Sequence, residues 1–210
     1  MNRFLYKVFM WMFIGLMITF VTGYYVSTNE NMLYNIFSGG TWLILTIVEI
    51  VLVIVLSARV KKMNPMTAKI LFCLYAFVTG LTFSSIFIEY KLQSVIFVFL
   101  VTAIIFLLFS LFGYFTKLNL SKLSTYLMMS LIGVIICSIV NMFIGSNIVD
   151  TIISCVAVVV FIGMTAYDVY IMKFYEGNSD NYAIVGALQL YLDFINLFVY
   201  LLKFFGKSDD

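Results

Sequence analysis

Gln189-Leu190-Tyr191-Leu192-Asp193-Phe194-Ile195-Asn196-Leu197-Phe198 sets an ionisable side chain, Asp193, inside an apolar run that continues to about Phe205. On insertion scales a carboxylate at membrane depth costs roughly 2.5–3.5 kcal/mol, so it usually has a partner and a task. Steps of three and four from Asp193 reach Gly186, Gln189, Asn196, Tyr200 and Lys203. With Tyr182 and Tyr191 set aside as exposed-end residues, the polar side chains of the segment fall on that one stripe. Its other faces are Leu, Ile, Val and Phe. At helical period this is a lipid-compatible helix with one polar seam. Such a seam must face protein or a water-filled cavity. The expectation is a central helix with the other segments wrapped around it.

The composition agrees with a membrane setting. The chain has 210 residues, 64% hydrophobic and 10% charged, where a soluble domain carries about 25% charged residues. This predicts an all-α polytopic membrane protein, a seven-transmembrane-helix bundle with the last helix central, forming a single transmembrane domain over 1–210. The net charge of +2 gives no electrostatic footprint for nucleic acid. Histidine is absent, which removes most zinc and haem sites and the usual neutral-pH switch. No cofactor is expected. Cys73, Cys137 and Cys155 stand alone in apolar runs and read as membrane-buried packing residues. The single proline, Pro65, lies in a charged loop, leaving the helices without proline kinks.

Seven apolar segments run at about 5–26, 38–58, 70–88, 93–115, 123–143, 149–172 and 184–205. Each approaches or exceeds the roughly 20 residues that cross a bilayer. The first is too long for a signal peptide, and Tyr24-Tyr25-Val26-Ser27 is a poor cleavage site. Basic residues collect at the N-terminus (Arg3, Lys7) and in every second connection: Arg59, Lys61, Lys62 and Lys69, then Lys117 and Lys122, then Lys173 with Glu176 and Asp180. The positive-inside rule puts these ends, the N-terminus included, in the cytoplasm. Seven crossings place the C-terminus outside. The tail itself, with Lys203, Lys207, Asp209 and Asp210, carries no bias. A re-entrant last segment puts it inside instead.

No glycine-rich phosphate loop, His/Cys cluster or Ser/His/Asp set is present, and the short linkers leave no room for a soluble catalytic domain. The expectation is therefore no enzyme. The chemistry falls to the few intramembrane charges. Asp168 lies near the end of segment 6 and Asp193 in segment 7; consecutive antiparallel segments come into contact. Two carboxylates sharing a dry site cannot both ionise cheaply and titrate as a unit. That makes the pair a candidate pH sensor in a histidine-free chain. Asp168 alone also reads as an interfacial acid reaching water, and Asp193 as a protonated structural hydrogen-bonder. Glu49, near mid-membrane in segment 2, either is protonated and inert or lines an ion path. Arg59, ten residues further on, is either a positive-inside anchor or a latch that pairs with Asp168. Asn141, Asn196 and Gln189 supply supporting polar groups, or ordinary helix-packing contacts. Gly15, Gly23, Gly80, Gly133 and Gly163 allow close helix approach.

With these residues in place the chain resembles the Bax inhibitor-1 family, the transmembrane Bax-inhibitor-motif proteins, and is most similar to its bacterial branch. The motifs are Leu190-Tyr191-Leu192-Asp193-Phe194-Ile195-Asn196-Leu197-Phe198, the Tyr167-Asp168 pair one helix earlier, Glu49, and the tail Leu201-Leu202-Lys203-Phe204-Phe205-Gly206. The similarity of layout covers essentially the whole chain. The resemblance implies a seven-helix fold with the last helix in the centre. It also implies a pH-sensitive calcium leak in a bacterial plasma (inner) membrane, with Asp168 and Asp193 as sensor at the cytoplasmic side. An arginine at the inner end of the second helix latches to the first aspartate in bacterial members; here Arg59 is chosen, although the matching position falls nearer Val60. The partners so implied are calcium and protons, with the bilayer around them. Calcium takes oxygen ligands, so transient binding near Glu49 or Asp193 is expected, with no permanent metal.

Two other classes compete. Asp168 and Asp193 on consecutive helices superficially fit an intramembrane aspartyl protease, but the Gly-x-Gly-Asp and Pro-Ala-Leu signatures of presenilin-like enzymes are missing. A regulatory membrane protein acting on a membrane protease or a stress response, without transport, is the stronger rival.

Overall fold

The structure is a computed structural model that describes residues 3–175 and 180–207. Glu176, Asp209 and Asp210, counted above among the connection and tail charges, lie outside the described residues. The helices are α1 (Arg3–Ser27), α2 (Glu30–Phe37), α3 (Thr41–Arg59), α4 (Pro65–Phe83), α5 (Ile86–Glu89), α6 (Leu92–Phe115), α7 (Leu123–Ile144), α8 (Asn147–Met172) and α9 (Asp180–Phe205), with single 3-10 turns at Val60–Lys62 and Leu120–Lys122. Among the described residues seven helices are long and apolar enough to cross a membrane: α1, α3, α4 continued through α5, α6, α7, α8 and α9. The protein is an all-α polytopic membrane protein.

The helix ends follow local chemistry. Asn64 accepts from the Met66 amide at 2.9 Å and Pro65 takes the first helical position, so α4 begins at Pro65 rather than near 70. Pro65 therefore opens a helix instead of lying in a loop. The connection after α1 holds a helix that hydropathy does not reveal. Asn29 caps α2 through the Met32 amide at 3.3 Å, and α3 starts after Gly39 and Gly40, both at positive φ. Asn141 grips the α7–α8 turn from both sides: its Nδ2 donates to the Ser146 carbonyl at 3.1 Å, and its Oδ1 accepts from the Ser146 amide at 3.2 Å.

The chain divides into two compact units. The first holds residues up to Leu92 together with α9 as far as Tyr191. The second holds Gln93–Tyr175 and Leu192–Lys207. α9 gives its first half to one and its second half to the other. It is the most buried of the seven spans, 61% of its apolar window against 11% for α3 and 17% for α7.

In the first unit α1 packs closely along α4. A Cβ on Gly80 would come within 2.7 Å of Thr22 Cβ and 2.9 Å of the Thr19 carbonyl oxygen, so only glycine permits this approach. The start of α9 is tied to both helices. Asp180 pairs with Lys7 of α1 at 2.8 Å and Lys69 of α4 at 2.7 Å, and Lys69 lies over the Trp11 ring at 5.6 Å. Asp180 is thus the first residue of α9 and not a connection charge. In the second unit Gly113 of α6 lies against the backbone of Ala166 in α8 with no room for a side chain. Lys203 pairs with Asp150 at 2.9 Å. Gly133, expected at a close helix approach, has nothing within 4 Å of where a Cβ would stand. Cys137 and Cys155 are free and exposed on α7 and α8, so they are surface residues rather than packing ones.

Candidate functional site

The second unit buries both aspartates. Asp168 lies one turn from the C-terminal end of α8 and is 7% exposed; Asp193 is 2% exposed. Asp193 stands thirteen residues into α9, about 20 Å along the helix axis. Its helical neighbour Phe194 meets Phe99 and Phe106 edge-on, at ring separations of 5.2 and 5.5 Å. The Asp168 carboxyl is close enough to Asp193 to act on it electrostatically. Asp193 Oδ2 is buried and has no hydrogen-bond partner among the described residues. Two carboxylates so placed cannot both carry a charge without a large desolvation and repulsion cost. A proton on either carboxyl would remove one of the two charges.

The polar stripe on α9 differs from its sequence reading at two positions. Gln189 is exposed and does not join the buried aspartate. Tyr191, set aside as an exposed-end residue, is fully buried at 0%. It lies roughly 200° around the helix from Asp193, so α9 buries more than one seam. Asn196 is half-buried and donates to the Leu192 carbonyl at 2.8 Å, a local bond within its own helix.

Tyr191 anchors a separate polar cluster in the first unit. Thr19 donates to the Ala76 carbonyl at 2.9 Å. A threonine hydroxyl has one hydrogen, so the 2.6 Å contact between Thr19 Oγ1 and the Tyr191 hydroxyl has Tyr191 as donor. Phe72 and Tyr75 of α4 meet the Tyr191 ring edge-on at 5.9 and 5.8 Å. Glu49, half-buried in α3, accepts from Thr82 Oγ1 at 2.9 Å. Thr79 Oγ1 is buried near the Glu49 carboxyl and the Tyr75 and Tyr191 hydroxyls, but makes no well-formed hydrogen bond. The hydrogen-bond partner of Glu49 is thus a hydroxyl from another helix, invisible to a search for a nearby opposite charge. Arg59 is exposed at the last turn of α3 and takes part in none of the ion pairs among the described residues. No group of three His, Cys, Asp or Glu side chains among the described residues could hold a metal ion.

Four polar groups with partners remote in sequence escaped the sequence reading. Tyr191 and Thr19 gave no signal, since one hydroxyl in an apolar run is ordinary. Asp180 and Lys173 read as connection charges, and only the fold gives them partners.

The family model described as "Inhibitor of apoptosis-promoting Bax1" matches residues 1–210. An uncharacterized protein of Borreliella burgdorferi is 44% identical over 214 residues, covering 98% of this chain and 92% of the relative. The inner membrane protein YbhL of Escherichia coli K12 is 40% identical over 216 residues, covering 99% of this chain and 92% of YbhL. An uncharacterized protein of Deinococcus radiodurans is 34% identical over 215 residues, covering all of this chain and 92% of the relative. The match runs from end to end and takes in both aspartates, the seven spans and the motif around Asp193, so the chain belongs to the Bax inhibitor-1 family.

Proposed function

We propose that this protein is a pH-sensitive calcium leak of a bacterial inner membrane, controlled by the proton shared between Asp168 and Asp193. One observation carries the reading: two buried carboxyl groups of one unit act on each other, and one of their oxygens lacks a donor. In this reading the shared proton holds α8 and α9 together. Loss of that proton sets two negative charges against each other in a dry site; gain of a second removes the charge that orders them. Either change biases an open–closed equilibrium. A calcium ion needs oxygen ligands. Glu49, held by Thr82 at membrane depth, is the proposed contact for it in the first unit. The basic ends of the spans favour a cytoplasmic N-terminus, and the printed name of YbhL favours the inner membrane.

The family's description as an inhibitor favours a second reading, a regulatory protein that binds a membrane partner such as a protease and transports nothing. Purified protein in liposomes loaded with a calcium indicator separates the two. The leak reading expects calcium entry above that of empty liposomes, changing in rate between about pH 6 and about pH 8. Entry no faster than in empty liposomes, together with co-purification of a partner, refutes the leak and favours the regulator.

A further inference from the structure

α6 ends at Phe115, and the carbonyls of a helix's last turn have no following helical amide to bond. Lys173, just beyond α8, supplies what they lack. Its ammonium donates to the Thr116 carbonyl at 2.9 Å, the Tyr114 carbonyl at 3.2 Å and the Gly113 carbonyl at 3.5 Å. It also stands 4.5 Å from the Tyr170 ring centroid and 5.0 Å from that of Phe174. An ammonium has three N–H donors and no acceptor; here three carbonyls take them while two ring faces shield the remainder. None of the ion pairs among the described residues includes Lys173. The negative end of the α6 dipole is what faces its charge.

The same two helices touch at a second point. Ala166, two residues before Asp168, lies with its backbone against Gly113. The stretch Ala166–Lys173 is therefore fastened to the end of α6 on both sides, by contact at Ala166 and by the ammonium at Lys173. Asp168 lies inside that stretch. We propose that Lys173 is the positioning residue of the aspartate pair: a tethered ammonium in a carbonyl-and-ring cage that fixes the turn of α8 presenting Asp168 to Asp193. The pairing part of this inference rests on the shared-proton reading above; the cage does not. Within the second unit the other charged groups on the elements around it are Asp168 and Asp150 on α8, Asp193 and Lys203 on α9, of which Asp150 and Lys203 pair with each other, and Lys117 and Lys122, both exposed, in the connection after α6.

The cage selects a primary ammonium, because it offers three acceptors converging on one centre. Lys173→Ala empties it in the full-length protein, and ethylammonium chloride is the probe that refills it. Tetramethylammonium chloride at matched concentration is the control, since it carries the charge without an N–H donor. Two readouts are taken on reconstituted protein: the midpoint pH of calcium entry, and amide hydrogen exchange over residues 113–116. Expected results are a displaced midpoint and faster exchange in Lys173→Ala, both returned toward wild type by ethylammonium and neither by tetramethylammonium. Lys173→Arg keeps the charge but not the three-fold donor geometry, so it shifts the midpoint in the same sense and less far. That variant carries the test if the alanine protein does not assemble. An unchanged midpoint in both variants, or equal recovery with the two salts, overturns the proposal. Absence of pH-dependent entry in wild type refutes the shared-proton reading instead, and exchange with its ethylammonium response then decides the cage alone.

Discussion

Replacing Thr19 by valine keeps the shape of the side chain and removes the acceptor of a buried tyrosine. The Tyr191 hydroxyl, on a residue 0% exposed, gives its hydrogen to Thr19 Oγ1 at 2.6 Å. A buried donor left without a partner costs about 1–3 kcal/mol. Hydrogen bonds between membrane helices, however, average only about 0.6 kcal/mol, because alternative partners take over. Such an alternative is present. Thr79 Oγ1 is buried near the Tyr191 hydroxyl and makes no well-formed bond of its own. Thr19→Val therefore costs about 1 kcal/mol, as Tyr191 turns to Thr79. Thr79→Val costs about zero, since it deletes a group that was already unsatisfied. The double variant strands the tyrosine hydroxyl and costs about 2–3 kcal/mol, more than the sum, with a coupling of about 1 kcal/mol or more. The assay is equilibrium unfolding in mixed micelles at increasing mole fraction of denaturing detergent, followed by circular dichroism. Simple additivity, or a Thr79→Val cost equal to that of Thr19→Val, refutes the reasoning.

Two further outcomes are read in the same assay. Gly80→Ala costs about 1–3 kcal/mol, because its Cβ meets the Thr19 backbone oxygen as well as Thr22; Gly133→Ala, with open space at its Cβ, is neutral or gains up to about 1 kcal/mol from helix propensity. Asp150→Asn and Lys203→Met, which break a pair with side chains 45% and 38% exposed, each change stability by less than about 1 kcal/mol, and the effect shrinks as salt is raised.

The seven spans were legible because hydropathy over some twenty residues is a strong signal. α2 was not, since an eight-residue helix set by the Asn29 cap carries no such run. The two aspartates were legible as candidates, because charge in an apolar run is rare. Their surroundings were not. A single polar stripe implies a helix with one buried face, but α9 is buried around most of its circumference. This is why Tyr191, on the far side from Asp193, is also buried, while Gln189 on the stripe is exposed. Partners remote in sequence were the other blind spot. Asp180 meets Lys7 and Lys69 from 173 and 111 residues away, and Lys173 meets carbonyls 57 to 60 residues away. Nothing local marks such pairings. Glycine showed both limits: Gly80 was read correctly as a close approach, Gly133 was not, and Gly113 was missed although it makes the tightest contact.

The shared proton is tested most directly by calcium entry into liposomes holding purified Asp193→Asn protein, from about pH 6 to about pH 8, beside wild type and Asp168→Asn. An asparagine cannot share the proton, so the account predicts a wild-type rate that varies with pH and a flat profile in both variants. Variants that keep the wild-type profile contradict it.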